Sequence, residues 1–214
     1  RRAQSGQQDR AARAALARAE VATGVRSGHG AVDLPAGLGA LLPGGLARGS
    51  VLGVRGSRSV LFAVMAAAMG RDGWAASIGM PDLGWLAASE AGVDLARVVG
   101  IPGAGMAAAD VVAACVDGFD VVVLGDGVDL GAGARRSLLG RIRSHGTVVL
   151  ATWPGAPVLH AAVRGGEGCG AGTGHVRDRV IAVRRDGAPT TVLLRMGQRP
   201  EPLEAPRRHL RAVS

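Results

Sequence analysis

The chain contains no lysine and no tyrosine, and aromatic side chains make up only 2% of it. It therefore has few of the rings on which proteins stack the bases of single-stranded nucleic acid. Cysteine is also scarce. Cys115 and Cys169 are too few for a disulfide framework or a zinc-ligand cluster, and this usage favours a cytoplasmic protein. The five histidines are scattered without metal-ligand spacing, so we predict no metal site.

Long apolar runs are missing as well. Gly and Arg interrupt each hydrophobic stretch before it reaches the roughly 20 residues that cross a membrane. The Arg-rich beginning of the chain lacks the apolar segment of a secretory signal, so we expect neither a membrane span nor a signal peptide. With 48% apolar and 20% charged residues in 214, the composition is typical of one folded α/β domain with tails.

The charge of the chain is strongly positive, with a formal net charge of +8. All 25 basic residues are arginine, a usage that a GC-rich genome alone would explain. The net charge is compatible with nucleic acid or with an acidic protein partner. Composition therefore leaves both kinds of partner open.

Short β-branched segments alternate with helical segments, the pattern of a mostly parallel sheet covered by helices on both faces. The predicted strands are Val51–Arg55, Trp74–Gly79, Arg97–Ile101, Asp120–Gly125 and Thr147–Thr152. The predicted helices are Ser59–Met69, Asp82–Ala91, Met106–Val116 and Gly133–Arg143. Two further strands, Asp178–Arg184 and Thr190–Met196, flank a turn sequence and predict a C-terminal antiparallel hairpin.

Three parts of the chain follow from this pattern. Residues 1–30 are predicted to form a basic N-terminal arm and linker, residues 31–197 the α/β core, and residues 198–214 a flexible, Pro- and Arg-rich tail. Within the core, the Gly-rich stretch 165–177 predicts a flexible loop.

The segment from Leu42 to Gly56 resembles the entry into the first core strand of RecA-family ATPases, where a Gly-Gly-Leu turn precedes a strand and a phosphate-binding loop. The apolar helix Val60–Met69, the segment Ala91–Arg97 and the strand Asp120–Gly125 are similar to the elements that follow in that family. The resemblance covers roughly residues 38–196 and implies a RecA-like fold.

The active-site positions depart from that family. A phosphate-binding loop needs several residues before a Lys-Ser or Lys-Thr pair, whereas this chain passes from strand to helix through Gly56-Ser57-Arg58-Ser59. Arginine is larger and planar and does not simply replace a phosphate-loop lysine. Gly125 stands at the Walker B carboxylate position, and Asp126 is one residue late. We therefore predict a degenerate nucleotide site, no catalytic residue, no cofactor and no enzyme activity.

Asp82 and Asp126 also have ordinary structural explanations. Asp82 follows Pro81 and is expected to cap the next helix, whereas Asp126 is expected to lie in a Gly-Asp-Gly turn. Trp153 follows the fifth strand, where RecA proteins carry a polar residue that senses the nucleotide. We expect its ring to pack in the core.

The segments Gly56–Ala63 and Ile78–Gly84 are similar to those of the ImuA-type accessory proteins of actinobacteria. This resemblance implies a non-catalytic adaptor in damage-induced mutagenesis. The implied partners are an inactive Y-family polymerase homologue and an error-prone replicative-type polymerase α subunit. Packing of the N-terminal arm on a neighbouring subunit would allow a homo-oligomer.

Two other functions remain open on the residues. Gly103–Ala108 matches a dinucleotide-binding fingerprint after a strand and before a helix, with Asp126 about the right distance beyond it for a ribose contact. A DNA-stimulated ATPase with an atypical phosphate loop is the other alternative. Both predict nucleotide binding, which an adaptor does not need.

Two sets of residues are candidates for contacts with macromolecules. Basic residues around the Gly-rich stretch are candidates for weak, salt-dependent contact with DNA: Arg164, His175, Arg177 and Arg179. The tail carries a basic segment with small apolar anchors that we expect to bind the protein partner: Arg207, Arg208, Leu210 and Arg211.

Overall fold

The computed structural model describes residues 30–35, 37–170, 173–196 and 200–203. The strands are β1 Ala31–Val32, β2 Leu46–Ala47, β3 Val51–Arg55, β4 Ala75–Ile78, β5 Val98–Ile101, β6 Val121–Leu124, β7 Val148–Leu150, β8 Val158–Gly170, β9 Thr173–Arg185, β10 Thr191–Met196 and β11 Pro200–Leu203. The α-helices are α1 Arg58–Met69, α2 Trp85–Glu90, α3 Ala108–Gly118 and α4 Ala132–His145. Short 3-10 turns occur at Leu38–Leu41, Leu95–Arg97 and Gly105–Ala107.

Nine strands form the main sheet, in the order β11-β10-β9-β8-β3-β7-β6-β4-β5. The strands from β8 to β5 in this order run parallel, whereas β8, β9, β10 and β11 pair antiparallel with one another. The near-continuous apolar sequences of the parallel strands suit this arrangement, because a parallel sheet is covered on both faces. The predicted α/β class with a C-terminal antiparallel hairpin is confirmed.

Two apolar cores lie on opposite faces of the sheet. On one face α1 and α2 contribute Phe62 and Ala88, packed with Leu52 of β3. On the other face α3 and α4 contribute Val112 and Ile142. The alternation of side chains along each strand divides the apolar residues between these two cores. The helices therefore hold the parallel strands from both sides and leave the carboxyl ends of the strands free to form a cleft.

The prediction of a flexible loop at 165–177 is wrong for most of these residues. Residues up to Gly170 extend β8, and residues from Thr173 extend β9, in one long antiparallel ladder. Its register shifts twice, between Val163 and Gly165 and between Glu167 and Cys169. Gly166 lies between these two shifts and pairs with Arg179; a Cβ built on it would lie 2.9 Å from the Asp178 carbonyl oxygen, so close strand approach favours glycine there.

Two further boundaries differ from the sequence prediction. The helix expected from Asp82 begins at Trp85, with Gly84 as its N-cap in the left-handed region, so Asp82 is not the cap. Residues 200–203, assigned to the flexible tail, form β11 and pair with β10. The rest of the tail, from residue 204, and the N-terminal arm up to residue 29 lie outside the described residues.

Candidate functional site

A cleft of about 970 Å³ opens at the carboxyl ends of β3, β4, β6 and β7. This is where the parallel strands of open α/β sheets place their ligands. It brings together most of the residues predicted for the degenerate nucleotide site, which are far apart in sequence: Gly56, Ser57, Arg58, Gly125 and Asp126.

The connection between β3 and α1 consists of Gly56 and Ser57. Gly56 has φ +84°, and a Cβ built on it would overlap the carbonyl oxygen of Ala161 in β8. The Ser57 hydroxyl accepts a hydrogen bond from the Val60 amide at 3.4 Å and so caps the helix. This short turn leaves no room in the chain for the run of backbone amides that wraps a phosphate.

The two residues that follow this turn are engaged within the protein. The Arg58 guanidinium donates to the backbone carbonyl of Asp82, across the cleft in the loop after β4. The Ser59 hydroxyl, in the first turn of α1, lies 3.2 Å from the Arg179 guanidinium of β9, which donates to it. Both contacts join α1 to other elements of the fold.

Gly125 packs tightly at the end of β6. Its amide donates to the Ile78 carbonyl at 2.8 Å, which holds it beside β4. A Cβ at this position would overlap the Gly79 carbonyl oxygen and would lie 2.9 Å from Cγ of Met80. Any carboxylate-bearing residue has a Cβ, so the site has no space for an acid at the Walker B position unless the backbone moves.

Asp126 lies in the turn after β6, where the Val128 amide donates to the Gly125 carbonyl at 3.0 Å. The expected Gly-Asp-Gly turn is therefore confirmed. The Asp126 side chain is exposed and lines the cleft, as does Asp82.

Equal numbers of basic and acidic residues line the cleft. The basic residues are Arg55, Arg58 and Arg135, and the acidic residues are Asp82, Asp126 and Asp129. A site for a nucleoside triphosphate needs an excess of positive charge because the phosphates are anionic. The balanced lining does not provide one. Sequence reasoning missed Arg55, Arg135 and Asp129. The position of Arg55 at the end of a predicted strand was an available signal, whereas Arg135 reaches the cleft only through the packing of α4.

Trp153 is 9% exposed and belongs to the apolar core beneath α3 and α4. Core packing, the expected role of this ring, is confirmed. The side chain also lines the cleft, so part of the cleft wall is apolar.

The dinucleotide alternative meets a topological obstacle. Gly103–Ala108 follows β5, which lies at the edge of the sheet. Asp126 follows β6, which is separated from β5 by β4. A dinucleotide fingerprint places its acid at the end of the strand beside the glycine loop. The structure therefore does not bring Asp126 to this loop as that alternative requires.

The candidate contact residues are only partly placed. Arg164 and Arg179 are exposed on β8 and β9. His175 and Arg177 lie in β9, but their side chains are outside the description. The four partner-binding candidates of the tail lie beyond the described residues, and they are Arg207, Arg208, Leu210 and Arg211.

Cys115 of α3 is a free thiol with no exposed surface, and burial raises its pKa to about 12. Such a thiol stays protonated at neutral pH and is not a nucleophile. No cluster of three or more possible metal ligands occurs among the residues that the structure describes. In the same part of the chain, no helix is both long enough and apolar enough to span a bilayer.

Three similarities place the chain among known proteins. Residues 40–156 match the family model described as the MT3502 N-terminal domain, which is more than half of the chain. The uncharacterized protein Rv3395c of Mycobacterium tuberculosis is 39% identical over 135 residues, which are 60% of this chain and 66% of that relative, just under two thirds of its length.

The crystal structure of the RadB recombinase superposes with a TM-score of 0.50 at 16% identity, covering 76% of this chain and 94% of that one. At this identity the likeness shows the fold alone. Together with the sheet order and the cleft described above, it identifies the core as RecA-like. The chain therefore belongs to the MT3502 N-terminal domain family and has a RecA-like fold.

Proposed function

We propose that this chain is a non-catalytic RecA-like adaptor in an error-prone translesion synthesis complex. In this complex it binds an inactive Y-family polymerase homologue and, with it, an error-prone replicative-type polymerase α subunit. The polymerase partners follow from the resemblance of Gly56–Ala63 and Ile78–Gly84 to ImuA-type accessory proteins. The adaptor role, as opposed to an ATPase role, is supported by the cleft.

The packing of Gly125 carries the proposal. A P-loop ATPase needs a carboxylate near this position to hold Mg²⁺ and a lysine to neutralise the phosphates. Here a carboxylate at position 125 itself is opposed by contact with the Gly79 carbonyl, and no segment of the chain has a lysine. A domain that keeps a RecA-like sheet without these groups is suited to binding other macromolecules.

Nucleotide binding gives the first test. Isothermal calorimetry with Mg-ATP and a phosphate-release assay, each with and without single-stranded DNA, should show neither binding nor turnover. Micromolar binding, or turnover that Arg58→Ala abolishes, would overturn the non-catalytic assignment in favour of an atypical DNA-stimulated ATPase. The same titration with NAD would test the dinucleotide alternative.

Partner binding gives the second test. The purified polymerase homologue from the same genome should form a stable complex, measured by size-exclusion chromatography and biolayer interferometry. A truncation after Leu203 keeps β11 and removes Arg207, Arg208, Leu210 and Arg211. We expect it to weaken the complex about tenfold, or about 1.4 kcal/mol. Absence of any complex with the full chain would refute the adaptor role. Unchanged affinity of the truncation would refute only the role of the tail.

A further inference from the structure

The helix α4 is basic along its whole length. Its 14 residues include four arginines and a histidine and no acidic residue: Arg135, Arg136, Arg141, Arg143 and His145. Helices that are merely solvated commonly mix the two signs of charge, because pairs of opposite charge three or four residues apart stabilise them. This helix has no such internal pair.

The helix presents one face to the core and another outward. Leu138 and Ile142 are buried beneath it, whereas Arg136 and Arg143 are exposed. These two arginines are seven residues apart, so they lie on the same outward side, about two turns or 10.5 Å apart along the axis. The outward face is otherwise formed by small residues, which are exposed: Gly133, Ser137, Gly140 and Ser144.

A contribution to helix stability does not explain why an arginine occupies position 136. Cations are favourable near the C-terminus of a helix, where Arg143 lies, and unfavourable near the N-terminus, where Arg135 and Arg136 follow Ala132. Arg141 pairs with Asp117 of α3 at 2.8 Å. In contrast, no carboxylate of the described residues lies within ion-pair distance of Arg136 or Arg143. Within the described part of the chain, neither guanidinium is therefore neutralised, and both are exposed to an anionic partner.

The turn that contains Arg48 packs against the C-terminal end of α4. Gly49 lies against the helix, since a Cβ built on it would lie 3.1 Å from the Arg143 Cα. A Cβ built on Gly146, just after the helix, would lie 3.9 Å from the Arg48 Cβ. The Arg48 guanidinium itself donates to the Ala68 carbonyl at 3.4 Å, so the backbone of this turn is fixed relative to α1.

We propose that the outward face of α4, centred on Arg136 and Arg143, binds the phosphate backbone of DNA. Two exposed arginines on a rigid helix can contact phosphates along one strand, and guanidinium groups bind phosphate oxygens in a bidentate manner. The small exposed residues of this face allow a backbone to approach closely, and the Ser137 hydroxyl is a further donor to phosphate, whereas the Ser144 hydroxyl donates to the Gly140 carbonyl. This surface lies on α4, which connects β6 to β7, whereas the Gly-rich segment belongs to β8 and β9, and its role does not depend on the adaptor function.

The test compares two double variants of the full chain. Arg136→Gln/Arg143→Gln removes the two α4 charges, and glutamine keeps a similar helix propensity. The control, Arg71→Gln/Arg184→Gln, removes two exposed positive charges elsewhere on the surface. Circular dichroism and thermal melting establish that both variants fold. Fluorescence anisotropy then measures binding to a labelled duplex and to a single strand of the same sequence, between about 50 and 200 mM salt.

We expect the α4 variant to bind at least about tenfold more weakly at the lowest salt. We also expect its slope of log affinity against log salt to be smaller by about 1.8 on the duplex, the value for two lost phosphate contacts. The control should stay within about twofold of the unsubstituted chain. Equal losses in the two variants would show that net charge alone acts, and would overturn the proposal. An α4 variant that binds DNA as well as the unsubstituted chain would also overturn the proposal, as would absence of DNA binding in the unsubstituted chain. If the α4 variant lost affinity for the polymerase homologue but not for DNA, the ligand of this face would be an acidic protein surface, and the proposal would again be wrong.

Discussion

Replacing Gly125 with alanine is expected to destabilise the fold far more than a change of one methyl group would suggest. The new Cβ would overlap the Gly79 carbonyl oxygen and would lie 2.9 Å from Met80 Cγ. The Met80 side chain can rotate away, but the Gly79 carbonyl belongs to the backbone. The hydrogen bond from the Gly125 amide to the Ile78 carbonyl, 2.8 Å long, opposes separation of the two segments. Overpacking of this kind costs about 1–3 kcal/mol.

Urea unfolding followed by circular dichroism measures this loss. For a chain of this size each kcal/mol also lowers the melting temperature by about 2–4 °C. The matched control is Gly127→Ala, two residues away, where a Cβ would meet no atom within 4 Å. We expect that variant to stay within about 0.5 kcal/mol of the unsubstituted chain. If Gly125→Ala were as stable as Gly127→Ala, the β4 and β6 ends would be free to separate, and the steric exclusion of a Walker B acid would be refuted.

Two further predictions concern groups buried around α3. Thr147→Val should lower the free energy of unfolding by about 1–3 kcal/mol in the same urea assay, because the Thr147 hydroxyl donates to the Val116 and Phe119 carbonyls at 2.7 and 3.0 Å; an unchanged midpoint would contradict this. In a Cys169→Ser background, Cys115 should react with Ellman's reagent at pH 8 only after unfolding. Burial raises its pKa from 9.0 to about 12, so stability should also fall as pH rises through that interval. Rapid labelling of the native chain would contradict the burial.

The parallel part of the fold was predictable because its signals are local. Apolar, β-branched segments such as Val121–Leu124 match the predicted strand positions to within one or two residues. The long β8–β9 ladder was not predictable in the same way. Glycine-rich composition suggests a loop, and only pairing with a segment distant in sequence reveals a strand there. Close approach of β9 explains glycine at position 166, one of the residues that obscured the strand.

In the candidate site, too, some features could be predicted from the sequence and others could not. The short turn Gly56-Ser57 and the missing acid at Gly125 are visible in the sequence, because they are departures from a known spacing. The contacts that surround these two positions are not visible in the sequence. That Ala161 lies against Gly56, and Gly79 against Gly125, depends on the order of strands in the sheet. Sequence spacing identified the positions that depart from the phosphate-loop pattern, but not the packing around them.

These contacts join different elements around the cleft. Gly56 packs on β8, Arg58 hydrogen-bonds to the loop after β4, and Gly125 joins the end of β6 to that of β4. Introducing a lysine at position 58 would remove the guanidinium that makes one of these contacts and would not lengthen the turn before it. Introducing an acid at position 125 would force β4 and β6 apart. We therefore expect either substitution to lower stability without completing a phosphate-binding loop. The cleft end of the sheet is thus held together by contacts within the protein, whereas Arg136 and Arg143 on the outward face of α4 are exposed.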